Sequence, residues 1–84
     1  MIEFFEKIKK KINNKFFSTK IIVIDNSHLH VGHKSFDSKK FHLKIIIHSK
    51  ELNKMGKIEA HKEIYNILKD EMHDKIHALE IQIN

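Results

Sequence analysis

His77 stands at the mouth of the run Lys75-Ile76-His77-Ala78-Leu79-Glu80-Ile81-Gln82-Ile83. Leu79, Ile81 and Ile83 fall on one side of that run, and Ala78, Glu80 and Gln82 on the other. This is the period of a half-buried strand. An imidazole at the mouth of a strand can ligate a metal, switch with pH or simply pack. A second histidine group lies on a polar connection, where His28, His30 and His33 form His-x-His-x-x-His. Three imidazoles can meet one borderline metal, and imidazole suits zinc, copper, nickel and iron. The same three can equally stay apart on a solvated loop. The other elements must therefore hold His77 facing that loop.

Composition narrows the chemistry. At 84 residues the chain is expected to be one domain, residues 1–84, with a modest core. It has no Cys, hence no thiolate nucleophile, no disulfide and no sulfur cage of its own. The net charge is +5, and all 16 basic residues are Lys. Lys is a good point charge for phosphate but lacks the planar fork of Arg, which disfavours base-specific reading of nucleic acid. No stretch approaches the roughly 18–20 consecutive apolar residues of a membrane span. The start, Met1-Ile2-Glu3-Phe4-Phe5-Glu6-Lys7, lacks the layout of a signal peptide. The expectation is a cytoplasmic protein with no membrane partner. No motif for a hydrolase or transferase is present, so an enzyme is not expected.

The elements follow from periodicity. Phe5, Ile8, Ile12 and Phe16 recur at helical spacing and predict a helix over 2–17, with Lys7, Lys10, Lys11 and Lys15 on a solvated face. Lys20-Ile21-Ile22-Val23-Ile24-Asp25 is a β-branched strand, ended by Asn26 and Ser27. The polar connection from Ser27 to Lys40 is long for a hairpin, which favours a functional loop. Phe41 to His48 alternates as a second strand, with Phe41, Leu43, Ile45 and Ile47 on its core face. Its other face, with His42 and His48, is expected to be wet. Ser49 caps a helical turn over 50–53. From Lys57 to about His73 the stripe Ile58, His61, Ile64, Tyr65, Leu68 and Met72 predicts one long helix. A strand–helix–strand return is almost always a right-handed parallel crossover. The fold class is thus α/β in the broad sense (α+β): helix, strand, strand, short helix, helix, strand, with a three-stranded mixed sheet under helices on one face. His61, on the helix stripe, is expected to be a core or interface histidine with a hydrogen-bond partner. Asp70, Glu71 and Asp74 are expected to form an exposed polar turn.

In this order the chain resembles the BolA family. The resemblance rests on Asp25-Asn26-Ser27 before a His-containing loop and on Phe41-His42-Leu43-Lys44-Ile45-Ile46-Ile47-His48-Ser49. It also rests on Ala60-His61-Lys62-Glu63-Ile64-Tyr65 and on Ile76-His77-Ala78-Leu79-Glu80-Ile81. Ala60 stands where the family usually has Arg, and Leu52 where it usually has Phe. Asn84 falls before the family's usual tryptophan-containing tail. The resemblance implies a class II KH-like fold and partnership with a monothiol glutaredoxin. It also implies a [2Fe–2S] cluster shared at that interface, with glutathione and a glutaredoxin cysteine supplying sulfur. Carried over, the ligands from this chain are His77 and a loop histidine, best His30, with His33 and His28 as alternates. Nitrogen ligands on one iron are the arrangement of Rieske centres, which raises the potential. Such a chain is expected to be a monomer that binds no cluster alone, acting in iron–sulfur trafficking or iron homeostasis.

The family also includes transcriptional regulators, so DNA is the rival partner. KH domains clamp a nucleic-acid backbone with a Gly-x-x-Gly loop. Here Lys54-Met55-Gly56-Lys57 offers a single glycine, which argues against that mode. A basic helix beside DNA phosphates remains as the alternative.

Overall fold

Ile8, Ile12 and Phe16 lie four residues apart, and α1 (Ile2–Lys15) turns all three into the core, where they are 0–4% exposed. The computed structural model describes residues 2–27 and 40–84. α1 ends two residues short of expectation, and Phe17, beyond it, is exposed. Phe4 and Phe5 pack on Phe41 with ring centroids 5.5 and 5.6 Å apart, tying the start of α1 to the sheet.

β1 (Lys20–Asp25) runs antiparallel to β2 (Phe41–His48), in a register from Lys20 opposite His48 to Asp25 opposite Leu43. β3 (Ile76–Ile83) lies parallel to β2 on its other side, as the crossover rule requires. β2 is the central strand, and its Leu43, Ile45 and Ile47 are at most 3% exposed. Between β2 and β3 run α2 (Lys50–Lys54), α3 (Lys57–Ile67) and α4 (Lys69–Asp74). α1 and α3 share one core with the inner sheet face. The result is the mixed α+β architecture expected from the sequence.

Ser49 caps α2 through its Oγ, which accepts from Leu52 N–H at 3.3 Å. Ser49 is itself buried, so no water replaces that acceptor. Ser49→Ala is expected to cost about 1 kcal/mol in urea unfolding, with an unchanged m-value.

The second half of the helical region departs from expectation in three ways. The single helix over 57–73 is two helices, joined at Leu68 with φ −100° and ψ 17°. Leu68 N–H still reaches Ile64 O, and Met72 N–H still reaches Leu68 O, so hydrogen bonds of helical spacing span the junction. The buried stripe is Ala60, Ile64 and Leu68; Ile58 is 79% exposed and Tyr65 is exposed as well.

Glu71 is the third departure. It is buried at 3% exposure, not part of a wet acidic turn, while Asp70 and Asp74 are exposed as expected. Lys11 Nζ donates to both of its carboxylate oxygens, at 3.0 and 3.1 Å, and Lys7 Nζ lies 3.6 Å away. Burial alone would raise the Glu71 pKa. The Lys11 hydrogen bonds, a backbone hydrogen bond and the charges of Lys11 and Lys7 outweigh it and hold the carboxyl below its ordinary value. The supposedly solvated lysine face of α1 is thus partly a clamp on α4.

Candidate functional site

The site forms where β3 breaks step. Phe41 pairs with Ile76 but His42 pairs with Ala78, so His77 is an extra residue on β3. The bulge lets Ile76 and Leu79 both face the core although they are three residues apart. It also leaves His77 and Ala78 together on the outer side. His77 is exposed, and its ring stacks on that of His42 with centroids 4.9 Å apart and planes 19° from parallel.

His42 is therefore not the wet residue expected; it is 5% exposed. The turn after β1 bonds to its backbone. Asn26 N–H donates to His42 O at 2.7 Å, and His42 N–H donates to Ser27 Oγ at 3.1 Å. Asp25 Oδ1 accepts from Ser27 N–H at 2.9 Å, an Asx turn that holds Ser27 in place. A depression of about 200 Å³, bounded by Asn26, His42, Ala78 and Glu80, adjoins the pair. His48, on the same sheet face, is half-buried at the far end, with Nε2 3.4 Å from Asn84 Nδ2.

Both ends of the long connection are anchored at this end of the sheet. Ser27 sits on His42, and Phe41 N–H donates to Lys75 O at 2.8 Å. Lys40 Nζ reaches His73 O at 3.2 Å. His28, His30 and His33 themselves lie outside the described residues. Among the described residues no three His, Asp or Glu side chains converge as a metal site. His61 is half-buried on α3, beside the end of β3 and away from His77. No hydrogen-bond partner for it occurs among the described residues, contrary to expectation.

Of the ligand residues expected from the sequence, His77 alone lies among the described residues. His77 offers an exposed imidazole on the β3 bulge, with its ring backed by a buried aromatic neighbour. The chain has no sulfur ligand apart from methionine thioethers, so a cluster held here would draw its thiolates from elsewhere. Sequence reasoning put His77 at the entrance of β3, where it lies, and did not foresee His42 beneath its ring. The signal was available: Ile76 and Leu79 are both apolar at a spacing that strict alternation cannot bury, which marks a bulge.

Comparison with known proteins bears on the family and the fold. A family model described as BolA-like protein matches residues 12–84. The chain is 30% identical over 76 residues to the DNA-binding transcriptional regulator BolA of Haemophilus influenzae, covering 90% of this chain and 71% of that protein. It is 29% identical over 80 residues to the UV-induced protein uvi31 of Schizosaccharomyces pombe, covering 90% and 78%. Its structure is similar to the BolA domain of SufE1 from Arabidopsis thaliana, with a TM-score of 0.78 and 28% identity over 94% of this chain and 87% of that one. A three-stranded mixed sheet under helices is thus the fold of a BolA-like domain. The chain belongs to the BolA-like family. No helix among the described residues is long and apolar enough to cross a membrane.

Proposed function

We propose that the chain is an adaptor that binds a monothiol glutaredoxin and co-ligates a [2Fe–2S] cluster held between them. The observation that supports this reading most is the exposed His77 imidazole on the β3 bulge, stacked on buried His42. His77 would supply one nitrogen ligand and a loop histidine, best His30, a second. The stack and the bulge restrict where the His77 ring can go, so less entropy is lost when it ligates. The cluster, when bound, supplies a redox-active and transferable iron–sulfur unit. Thiolates would come from the partner and from glutathione.

The test is titration of the full chain into a cluster-loaded monothiol glutaredoxin from the same organism, followed by visible absorption and circular dichroism. A new spectrum saturating at one-to-one supports the reading; an unchanged spectrum with no complex rejects it. Within the loop, His30→Ala is expected to change that spectrum, and His28→Ala and His33→Ala to leave it intact. A loss seen only in His33→Ala would move the second ligand there.

The relative named as a DNA-binding regulator keeps one other reading open. Structure weakens its simplest form, a basic α1 on phosphates. Lys7 and Lys11 are held by Glu71, Lys9 by Glu6 at 3.1 Å, and Lys15 by Glu63 at 3.5 Å. Affinity for duplex DNA that falls steeply with salt, together with no glutaredoxin complex, would favour DNA.

A further inference from the structure

β3 is an edge strand, because the sheet runs β1-β2-β3. The ladder determines which backbone groups face the open side. Asn84 N–H donates to Ile47 O at 2.8 Å. In a parallel pair, alternate residues bond the neighbour and the others point away. Leu79, Ile81 and Ile83 therefore turn their N–H and C=O groups outward. One of these groups is covered: Tyr65 Oη–H donates to Leu79 O at 2.8 Å. Ile81 and Ile83 have no such cover among the described residues.

A groove of about 360 Å³ opens beside these two residues, between β3 and the α2–α3 turn. Leu52, Met55 and Ala60 line it with Ile81 and Ile83, and His61 is half-buried at its side. No carboxylate lines it. Lys57 does, and Lys54 lies in the same turn; both are exposed and unpaired with any carboxylate among the described residues.

We propose that this edge and groove dock an extended segment of a partner polypeptide. The segment adds as a short fourth strand at Ile81–Ile83, places one branched aliphatic side chain in the groove, and carries Asp or Glu on either side. Main-chain hydrogen bonds provide affinity in strand addition, and the pocket provides specificity. The flanking carboxylates answer Lys54 and Lys57. Lysines suit phosphate equally well, so charge does not decide between peptide and single-stranded nucleic acid. The backbone edge does: outward donors and acceptors alternate along it at strand spacing, which an added peptide strand uses and a nucleic-acid strand does not. Tyr65 ends the added strand before Leu79.

The experiment is amide NMR of the 15N-labelled full chain titrated with acetyl-Glu-Asp-Val-Leu-Val-Glu-Asp-amide. An analogue N-methylated at alternate residues and a short oligo(dT) serve as comparisons. Saturable shifts centred on Lys57, His61, Ile81 and Ile83 are expected with the peptide alone. Lys54→Glu/Lys57→Glu is expected to weaken it about tenfold or more, since both exposed charges reverse. Ile83→Pro removes an outward N–H without touching the ladder to β2, and is expected to weaken it similarly. Shifts centred elsewhere, equal binding of the N-methylated analogue, oligo(dT) binding in place of the peptide, or no saturable binding would each overturn the proposal.

Discussion

His77→Ala is expected to fold as the wild type does and to lose the one-to-one spectral change with cluster-loaded glutaredoxin altogether. The side chain is exposed, and the bulge that carries it is a backbone feature, so deleting the ring removes little packing. Thermal unfolding should move by no more than a degree or two, within roughly 0.5 kcal/mol. Ligation, by contrast, is a property of the imidazole nitrogen, for which Ala offers no substitute. His42 separates positioning from ligation. His42→Phe keeps an aromatic surface under the His77 ring and should keep the spectrum. His42→Ala removes that surface and should weaken the complex about 10- to 100-fold, the usual cost of losing support behind a ligand. A His77→Ala variant that still gives the full spectrum would remove this residue from the site.

The difference between His77 and His42 shows what a linear reading can reach. Helical spacing located α1, β-branched runs located β1 and β2, and the crossover rule gave β3 its parallel direction. Each of these is local or follows from a connection rule. Strict alternation then put His42 on a wet face. It failed because the His77 ring, carried outward by a bulge on β3, stacks on His42, and that bulge does not lie within β2 itself. The exposed Ile58 has a similar cause. A stripe through Ile58 and one through Ala60 are both plausible on a helical wheel, and only the position of α3 against the sheet chooses between them. Loop histidines at His28, His30 and His33 are legible as a cluster in sequence, yet spacing alone does not select among them. The β3 edge groove was not legible at all, since its walls come from three separate elements.

Glu71 makes a long-range contact of this kind, and it carries the second strong prediction. Its partner Lys11 is 60 residues away in sequence, so nothing near Asp70 or Asp74 announces the pair. Lys11→Met leaves the buried carboxylate with Lys7, at 3.6 Å, as its remaining cation, beside its backbone hydrogen bond. Removing one member of a buried pair usually costs about 3–5 kcal/mol. Lys11 is a third exposed and Lys7 remains, so about 2–3 kcal/mol is expected. For a chain of this length, total stability is about 4–13 kcal/mol, so the loss should be plain in urea unfolding. Adding Glu71→Leu should recover most of it, because the double variant buries no lone charge. The pH dependence has a definite sign. The folded pKa lies below the ordinary value of 4.5, so the unfolded chain takes up the proton first. The contribution is fully present above that ordinary value and is lost as pH falls through the lower folded pKa. Glu71→Gln should flatten the acid limb of stability and leave its neutral and alkaline parts parallel to wild type. An acid limb of unchanged slope in Glu71→Gln would show that the clamp between α1 and α4 does not act through the charge of this carboxylate.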